Sequence, residues 1–240
     1  MNVTPAELYN QLYDAFGPQH WWPMDHSHHE QNNTDPRFEV MIGAILTQNT
    51  AWTNVEKAIK QLKEHNLLNI QTLKDADNNL VKTCIRSSGY FNQKAKRLHF
   101  LSNYLAEKYD GNLNQFFSKQ TQSLRKELLD LHGIGPETAD SILLYAAEKP
   151  VFVVDAYTKR LCKRIPLKVN ADSYEDIQQY VEDELKKRYE EDELVQVYNE
   201  FHALIVNLGK YYCKPKPVCS QCPLVKKCAF GRQRIIKESH

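Results

Sequence analysis

Residues 128–144 read LLDLHGIGPETADSILL, and this stretch decides the fold of the chain. Apolar residues recur three and four positions apart on both sides of GIGP, which is typical of two amphipathic helices. Gly133 and Gly135 permit backbone angles that side chains exclude, and proline is favoured in the first turn of a helix. The stretch therefore predicts two helices joined by a tight bend, with Glu137 in the first turn of the second helix.

The same helical period runs through most of the chain, most clearly in residues 38–62, 93–109 and 177–190. Strand-like sequence is confined to VFVV, residues 151–154. The pattern predicts an all-α protein. Residues 17–37 are rich in Pro, Asn and His, so we expect an irregular segment there, with no helix to order its histidines into a metal site.

Charge is unevenly distributed along the 240 residues, although the formal net charge is only +1. Residues 172–200 contain eleven acidic and three basic side chains, whereas residues 210–237 contain eight basic and no acidic ones. A basic end can contact phosphate in a protein that is nearly neutral overall, and a solvated tail would give the same pattern. No apolar run is long enough for a membrane helix and no export signal is evident, so we expect a cytoplasmic protein.

Four of the six cysteines fall within 16 residues near the end of the chain, namely Cys213, Cys219, Cys222 and Cys228. Such clustering in a chain without an export signal indicates a metal site rather than disulfides. Four thiolates suit either a zinc ion or an iron–sulfur cluster, and the ligand types alone do not separate the two.

The bend itself is a candidate anion site. The main-chain amides of Gly133, Ile134 and Gly135 are expected to point outward at a helix start, where the helix dipole also favours an anion. A phosphate would fit there. A plain turn between two helices would explain the same residues.

The order of these features resembles the helix-hairpin-helix DNA glycosylases of the endonuclease III family: a helix, a Gly-x-Gly bend, a second helix, VFVV and then Asp155. In that family the hairpin binds the DNA backbone through main-chain amides, and the aspartate lies at the mouth of the base pocket. The resemblance makes Asp155 the catalytic carboxylate, which would stabilise positive charge on the sugar or orient the attacking water. A helix cap after VFVV is the alternative role.

The cysteines resemble the family's terminal [4Fe-4S] loop. The family usually has six residues between the first two ligands, and this chain has five, KPKPV. The resemblance favours a cluster, with zinc as the alternative. The lysines between the ligands, Lys214, Lys216, Lys226 and Lys227, would be displayed for phosphate contact.

Glu137 departs from the pattern of the bifunctional family members, which have a lysine at this position. That lysine attacks the sugar to form a Schiff base, and a carboxylate cannot. The resemblance therefore implies base removal without strand cleavage by this route, with Glu137 as a second candidate catalytic residue. A favourable interaction with the helix dipole would also explain Glu137, and another amine, such as Lys159, would be the alternative lyase nucleophile.

A base must leave the duplex before it is cut from the sugar, and a side chain must fill the gap. ILTQNTAW, residues 45–52, resembles the family segment that supplies this wedge, so we expect Gln48 or Asn49 to enter the DNA. Lys94 and Lys96 stand in the first turns of a helix, where the dipole would prefer acids. Phosphate contact would explain them, as would a solvated helix face.

All three tryptophans lie in two segments, HWWPMD and QNTAW, as Trp21, Trp22 and Trp52. Together with Glu137 and GYFNQKAKRL, residues 89–98, they resemble the 3-methyladenine DNA glycosylases of endonuclease III type. Aromatic faces attract positively charged alkylated purines by about 1 to 2 kcal/mol. We therefore expect these tryptophans to line the base pocket, with core packing as the alternative.

The sequence thus predicts two helical domains: a helical barrel with the hairpin, residues 36–148, and an iron–sulfur domain, residues 1–35 and 149–240. The predicted function is a monofunctional glycosylase that removes damaged bases, first of all alkylated purines, from double-stranded DNA. A monomer associated with the nucleoid, without membrane contact, is expected. The alternatives are a glycosylase for mismatched or oxidised bases and a non-catalytic DNA-damage binding protein.

Overall fold

The computed structural model describes residues 3–238, and within them the chain is helical, without strands. The all-α prediction is confirmed. The chain forms two compact units: residues 22–149 are one unit, and the other combines the chain up to Trp21 with the chain from Pro150 onward.

The unit of residues 22–149 contains nine of the helices that the structure describes. They are α2 (His26–Asn32), α3 (Pro36–Leu46), α4 (Trp52–Glu64), α5 (Ile70–Asp75), α6 (Asn78–Cys84), α7 (Phe91–Tyr109), α8 (Leu113–Phe117), α9 (Thr121–Leu129) and α10 (Pro136–Tyr145). A short 3-10 turn, Arg86–Ser88, precedes α7. Helix α7 packs against α3 and α5, and α10 packs against α3 and α9.

The other unit contains five described helices from the two ends of the chain. They are α1 (Pro5–Phe16), α11 (Ala156–Arg164), α12 (Tyr174–Lys186), α13 (Leu194–Tyr211) and α14 (Ala229–Glu238). Helix α13 is the centre of this unit, because both α1 and α11 pack on it. Tyr9 of α1 meets Phe201 of α13 edge to face, with 5.8 Å between ring centroids.

The angle between α9 and α10 is held by an ion pair. Asp140 of α10 is fully buried, and its carboxylate accepts hydrogen bonds from Nε (2.6 Å) and Nη2 (3.0 Å) of Arg125 in α9. A two-pronged pair of this kind fixes direction as well as distance. The ion pair therefore braces the two helices that flank the bend.

Residues 151–154 do not form the strand that VFVV suggests. The segment is buried, but side chains of α12 take the place of a neighbouring strand: Glu182 accepts from the N–H of Phe152 (2.9 Å), and Gln178 donates to its carbonyl (2.7 Å). Buried main-chain polar groups need partners, and here polar side chains supply them. Extended apolar sequence therefore occurs without a sheet.

Residues 17–37 are more regular than their sequence indicates. Helix α2 lies in the middle of this segment and is capped by Asp25, whose Oδ1 accepts from the N–H of His28 at 3.1 Å. His29 is buried and bridges Thr34 (2.8 Å) and Glu39 (2.8 Å). These contacts place residues 22–35 in the unit of residues 22–149, whereas the sequence grouped them with the cysteines.

None of the helices described between residues 3 and 238 is long and apolar enough to cross a bilayer. The six cysteines in this part of the chain form no disulfide.

We predict that Arg125→Met lowers the free energy of unfolding by about 3 kcal/mol or more, because the substitution removes two hydrogen bonds from a fully buried carboxylate. Urea unfolding measures the change. The matched control is Lys187→Met, which breaks the solvent-exposed pair with Glu184 and should cost less than about 1 kcal/mol. Equal costs for the two variants would contradict the bracing role.

Candidate functional site

The bend between α9 and α10, residues 131–135, is called the hairpin below. Gly133 adopts a φ of 80°, which favours glycine, and Gly135 is the N-cap of α10, with Pro136 in its first turn. Within residues 3–238, no hydrogen bond engages the N–H groups of Gly133 and Gly135. Both amides are available to an anion at this helix start.

Ile134 differs from its neighbours and corrects part of the sequence expectation. Its side chain is buried, and its N–H donates to the carbonyl of Leu131 at 3.1 Å. This amide closes the turn and does not point to solvent. Two amides of the hairpin, not three, remain for an external anion.

Arg97 of α7 lies directly against the hairpin. A Cβ atom at Gly133 would lie 2.6 Å from Cδ of Arg97 and would overlap its Nε. The guanidinium also donates a short hydrogen bond from Nη1 to the side-chain oxygen of Gln48. Arg97 therefore connects the hairpin with the loop that follows α3.

Gln48 completes this connection. Its side-chain amide donates to the carbonyl of Gly133 (3.0 Å) and to the hydroxyl of Thr138 (2.9 Å) in α10. Both ends of the side chain are thus engaged by the protein. Gln48 is one of the two residues expected to enter DNA, and its side chain already makes three hydrogen bonds within the protein.

Asn49, the other expected wedge, is exposed at the turn of the same loop, with a φ of 55°. Sequence reasoning missed a second exposed residue of the same kind, Tyr90, which precedes α7 with a φ of 47° and is 65% exposed. Non-glycine residues with positive φ are uncommon and collect at functional sites. The sequence signal was the pair Gly89–Tyr90, an aromatic residue directly after a glycine that ends a helical turn.

Lys94 is not placed as the sequence suggests. It is 1% exposed, and its ammonium donates to the main-chain carbonyls of Leu46 (2.8 Å) and Ser88 (2.7 Å). A side chain buried in this way does not contact phosphate, because its donors are already used inside the protein. Lys96, two residues further along α7, is exposed, as expected of a phosphate contact.

Two of the three tryptophans lie together. The rings of Trp22 and Trp52 meet edge to face at 4.9 Å between centroids, and the ring centroid of Tyr145 lies 5.5 Å from that of Trp22. Gly43 makes room for Trp22 on α3, since a Cβ there would overlap the indole ring. Trp21 belongs to the other unit and is half-buried.

A surface cavity of about 390 Å³ borders Trp52. Its lining combines apolar and charged side chains from Pro23, Met24, Asp25, Glu39, Trp52, Glu56, Ile59, Lys60 and Lys63. Glu56 accepts a hydrogen bond from the indole N–H of Trp52 (2.9 Å), and Lys63 lies 3.2 Å from the buried Glu39. The volume suits a small molecule.

Asp155 is the N-cap of α11, so it has the helix-capping role that was the alternative to catalysis. Its Oδ1 accepts from the N–H of Thr158 (2.7 Å) and from the Thr158 hydroxyl (2.9 Å). The residue is 9% exposed. Cap and catalytic carboxylate are compatible, because the cap uses one carboxylate oxygen and leaves Oδ2 directed elsewhere.

His202 of α13 is a neighbour that sequence reasoning missed. Its Nε2 lies 3.8 Å from Oδ2 of Asp155, and the residue is 8% exposed. Burial lowers the pKa of the imidazole, and the Asp155 carboxylate offsets part of this shift. The imidazole is therefore neutral near pH 7 and places no positive charge beside Oδ2 of Asp155. No local sequence pattern links positions 155 and 202.

Glu137 lies in the first turn of α10 and is exposed. The hydroxyl of Ser141 donates to its main-chain carbonyl at 2.7 Å. The position is one residue beyond Pro136 and two residues after the hairpin. A carboxylate at a helix start is favoured by the dipole, so its presence here has a local cause as well.

All four clustered cysteines line one small cavity of about 20 Å³, together with Arg164, Tyr212 and Phe230 among others. The Nη1 of Arg164 lies 3.2 Å from Sγ of Cys213, and the N–H of Gly231 lies 3.3 Å from Sγ of Cys228. Thiolate sulfur accepts hydrogen bonds from N–H groups placed in this way. Four thiols around one cavity with such donors fit the ligand set of an iron–sulfur cluster.

Within residues 3–238, no group of three or more His, Cys, Asp or Glu side chains is arranged to hold a metal ion as it stands. Burial raises the pKa of the Cys222 thiol to about 11 and also raises the pKa values of Cys219 and Cys228. Metal ligation by these residues would therefore release protons.

The loop that carries the cysteines is tied to α11. Arg160 donates to the carbonyl of Cys213 (2.7 Å), and Arg164 donates to the carbonyl of Lys214 (2.8 Å). These bonds fix the start of the loop while the side chains of Lys214, Lys216 and Lys226 are exposed. Three of the four expected phosphate-contacting lysines are thus exposed, and Lys227 is half-buried, 4.0 Å from Glu7.

An all-α fold with this hairpin, followed by a buried aspartate at a helix start, is the arrangement that the sequence resemblance implied. Residues 42–187 match the HhH-GPD superfamily of base excision DNA repair proteins. The chain belongs to this family.

Two curated relatives cover most of the chain. A protein of Methanocaldococcus jannaschii, provisionally named a DNA repair glycosylase, is 42% identical over 224 residues, which are 92% of this chain and 94% of that protein. Endonuclease III of Thermotoga maritima is 35% identical over 202 residues, 84% of this chain and 86% of that protein.

A solved structure extends the comparison to the fold. The crystal structure of the H. pylori 3-methyladenine DNA glycosylase bound to 1,N6-ethenoadenine matches this chain with a TM-score of 0.70 and 28% identity. The match covers 87% of this chain and 98% of that one. The predicted resemblance to the helix-hairpin-helix DNA glycosylases is confirmed.

We predict that Gly133→Ala destabilises the protein more than Gly111→Ala. Both glycines have positive φ, 80° and 70°, so both variants carry the strain of about 1–2 kcal/mol expected for a side chain there. A methyl group at Gly133 also collides with Arg97, whereas the nearest atom at Gly111 lies at 3.9 Å. Urea unfolding compares the variants, and equal losses would show that Arg97 moves aside without cost.

Proposed function

We propose that this protein is a monofunctional DNA glycosylase that removes damaged bases, in particular alkylated purines, from double-stranded DNA, and that it acts as a monomer on nucleoid DNA. The observation that carries the proposal is the carboxylate of Asp155: it is buried, its Oδ1 is fixed by Thr158, and its Oδ2 faces a neutral imidazole. Such a carboxylate is held in position by the protein itself.

Hydrolysis of an N-glycosidic bond requires a carboxylate that is held in a fixed position beside the sugar. When an N-glycosidic bond breaks, positive charge develops on the sugar, and a fixed anion stabilises that state more than the ground state. The same oxygen can accept a hydrogen bond from the attacking water and so orient it toward the sugar carbon. Because Thr158 holds Oδ1, the direction of Oδ2 is set before DNA binds.

DNA binding is proposed to use the hairpin and the exposed lysines. The free N–H groups of Gly133 and Gly135 are suited to one backbone phosphate, and Lys96 to another. Lys214, Lys216 and Lys226 of the cysteine loop add charge without sequence preference. DNA contact is supported by family membership, since its members are base excision repair proteins.

Asn49 is the better wedge of the two expected residues. Gln48 would have to give up three hydrogen bonds to enter DNA, whereas Asn49 is already exposed. Tyr90 adds an exposed aromatic ring that can stack on a base. In this proposal Gln48 joins the loop that follows α3, which carries Asn49, to the hairpin.

Strand cleavage by the family's lysine route is not expected. Glu137 has no amine, so it forms no Schiff base with the sugar. A supporting role for Glu137 beside the DNA remains part of the proposal, since it is exposed in the first turn after the hairpin.

The substrate class is inferred from the aromatic residues. Trp22, Trp52 and Tyr145 form one cluster, and Trp21 directly precedes Trp22. Electron-rich rings attract the positive charge of alkylated purines, which are also good leaving groups and need little acid catalysis. The H. pylori relative, which acts on 3-methyladenine by its name, supports the same class.

A [4Fe-4S] cluster is the proposed cofactor, held by Cys213, Cys219, Cys222 and Cys228. The cluster would cross-link the loop between α13 and α14 and thereby hold its lysines in place. The four thiols line a single cavity, and Arg164 and Gly231 direct N–H groups at two of them. Zinc is the alternative ion for four thiolates.

We predict that the wild-type protein releases 3-methyladenine or 7-methylguanine from alkylated duplex DNA, and that Asp155→Asn lowers the rate at least about a hundredfold. Asparagine is also a good N-cap, so α11 should persist and DNA affinity should change little. Chromatography of the released bases gives the rates, and a gel-shift titration gives the affinity.

Asp172→Asn is the matched control, because it removes an exposed carboxylate of the same unit and should leave release unchanged. Mismatched and oxidised duplexes, tested in parallel, distinguish another lesion class. Lesion-specific binding without release would identify a damage-binding protein. Borohydride trapping on abasic DNA should yield no adduct, and an adduct lost in Lys159→Met would reveal a lyase.

We predict that anaerobically purified protein absorbs broadly near about 400 nm and contains about four irons per chain, as expected for a cluster held by four cysteines. Cys219→Ser should lose both signals, while Cys162→Ser, at a buried cysteine outside the cavity, should keep them. A colourless protein with one zinc would replace the cluster by the alternative ion.

A further inference from the structure

Lys94 is a buried cation bonded only to main-chain oxygen. Its Nζ lies 2.8 Å from the carbonyl of Leu46 and 2.7 Å from that of Ser88. Burial lowers the pKa of the amine to about 8, with a smaller contribution from the Arg97 guanidinium on the same helix. The ammonium form still predominates at pH 7, so both hydrogen bonds are strengthened by charge.

The two carbonyls belong to different parts of the chain. Leu46 is the last residue of α3, and Ser88 is the last residue of the 3-10 turn Arg86–Ser88. Carbonyls at the end of a helical segment lack a partner within the helix and carry its negative pole. One cation therefore satisfies two unpaired carbonyls and holds two chain segments at a single point.

A strained and exposed residue follows each of these carbonyls. Asn49, with a φ of 55°, comes three residues after Leu46, and Tyr90, with a φ of 47°, comes two residues after Ser88. We call Asn49 and Tyr90 the loop tips. A second link connects the same segments, because the hydroxyl of Ser87 donates to the carbonyl of Asn54 in α4 at 2.8 Å.

We propose that Lys94 is a positioning residue that holds the two loop tips as one rigid DNA-facing unit without itself contacting DNA. The proposal rests on the proposed function, because it assigns Asn49 and Tyr90 to the DNA. A methionine of similar length would fill the same space without the desolvation of a charge, so packing alone does not call for a lysine. The two carbonyls require a hydrogen-bond donor at this position, which lysine supplies and methionine does not.

The test compares Lys94→Met with Lys96→Met, which removes an exposed ammonium from the same helix. Amide hydrogen exchange of the free proteins comes first. Lys94→Met should speed exchange about tenfold or more at Gln48, Thr50 and Gly89, because two charge-assisted hydrogen bonds are lost. Leu124 and Leu131, in and after α9, should not change, and Lys96→Met should change none of them.

DNA binding separates positioning from phosphate contact. Lys96→Met should weaken binding of an undamaged duplex and reduce its salt slope by about 1, whereas Lys94→Met should leave the slope unchanged. With 2-aminopurine beside a lesion as probe, Lys94→Met should slow base extrusion about tenfold at an affinity within about twofold of the wild type, since disordered tips enter the stack less often.

With the Lys94→Met variant, three results would overturn the proposal: faster exchange spread evenly over residues 22–149, a salt slope reduced as much as in Lys96→Met, or base extrusion at the wild-type rate. The exchange measurement needs no DNA. It therefore stands even if the protein proves not to act on damaged bases, and a failure of the proposed function would appear only in the extrusion assay.

The wild-type protein provides a measurement that does not depend on whether Lys94→Met folds. Lysine acylation, read by mass spectrometry with and without an undamaged duplex, should leave Lys94 unmodified in both states, while Lys96 reacts in the free protein. Modification of Lys94 that DNA blocks would show that this lysine leaves its buried position to reach the phosphate backbone.

Discussion

The hairpin depends on the absence of a side chain at Gly133. Because no Cβ stands there, Arg97 of α7 lies against the main chain, and Gln48 reaches the carbonyl of the same residue. The loop after α3, helix α7 and the start of α10 thus converge on one backbone atom group. Arg125 and Asp140 join the two helices that flank the hairpin, so α9 and α10 are also fixed to each other.

In the proposed function, the carboxylate of Asp155 would serve folding and chemistry with different oxygens. Oδ1 satisfies the first turn of α11, and Oδ2 lies beside His202. The neutrality of this histidine matters, because a cation at that position would compete with a developing charge on the sugar for the same oxygen. A residue that caps a helix is also held more rigidly than one on a free loop, and rigidity is what a preorganised charge requires.

Period and spacing were enough to predict the helical fold and the hairpin, because each is a local property of sequence. The clustering of the four cysteines in sequence agrees with the single cavity that they line, while the cluster itself stays a prediction. The failures concern contacts between distant residues. Lys94 was read as exposed, since lysines usually are, and only the carbonyls of Leu46 and Ser88 explain its burial. VFVV has strand composition, but its partners are the side chains of Gln178 and Glu182. His202 lies 47 positions after Asp155 and carries no motif.

The unit built from both ends of the chain has a consequence for synthesis on the ribosome. Tyr9 of α1 packs on Phe201 of α13. Because α13 lies near the end of the chain, α1 leaves the ribosome long before α13 is synthesised. Residues 22–149 are contiguous and can fold while the rest is being made. We therefore expect α1 to wait with its apolar face exposed until the last third of the chain emerges, and contacts so far apart in sequence to limit the rate at which this unit forms.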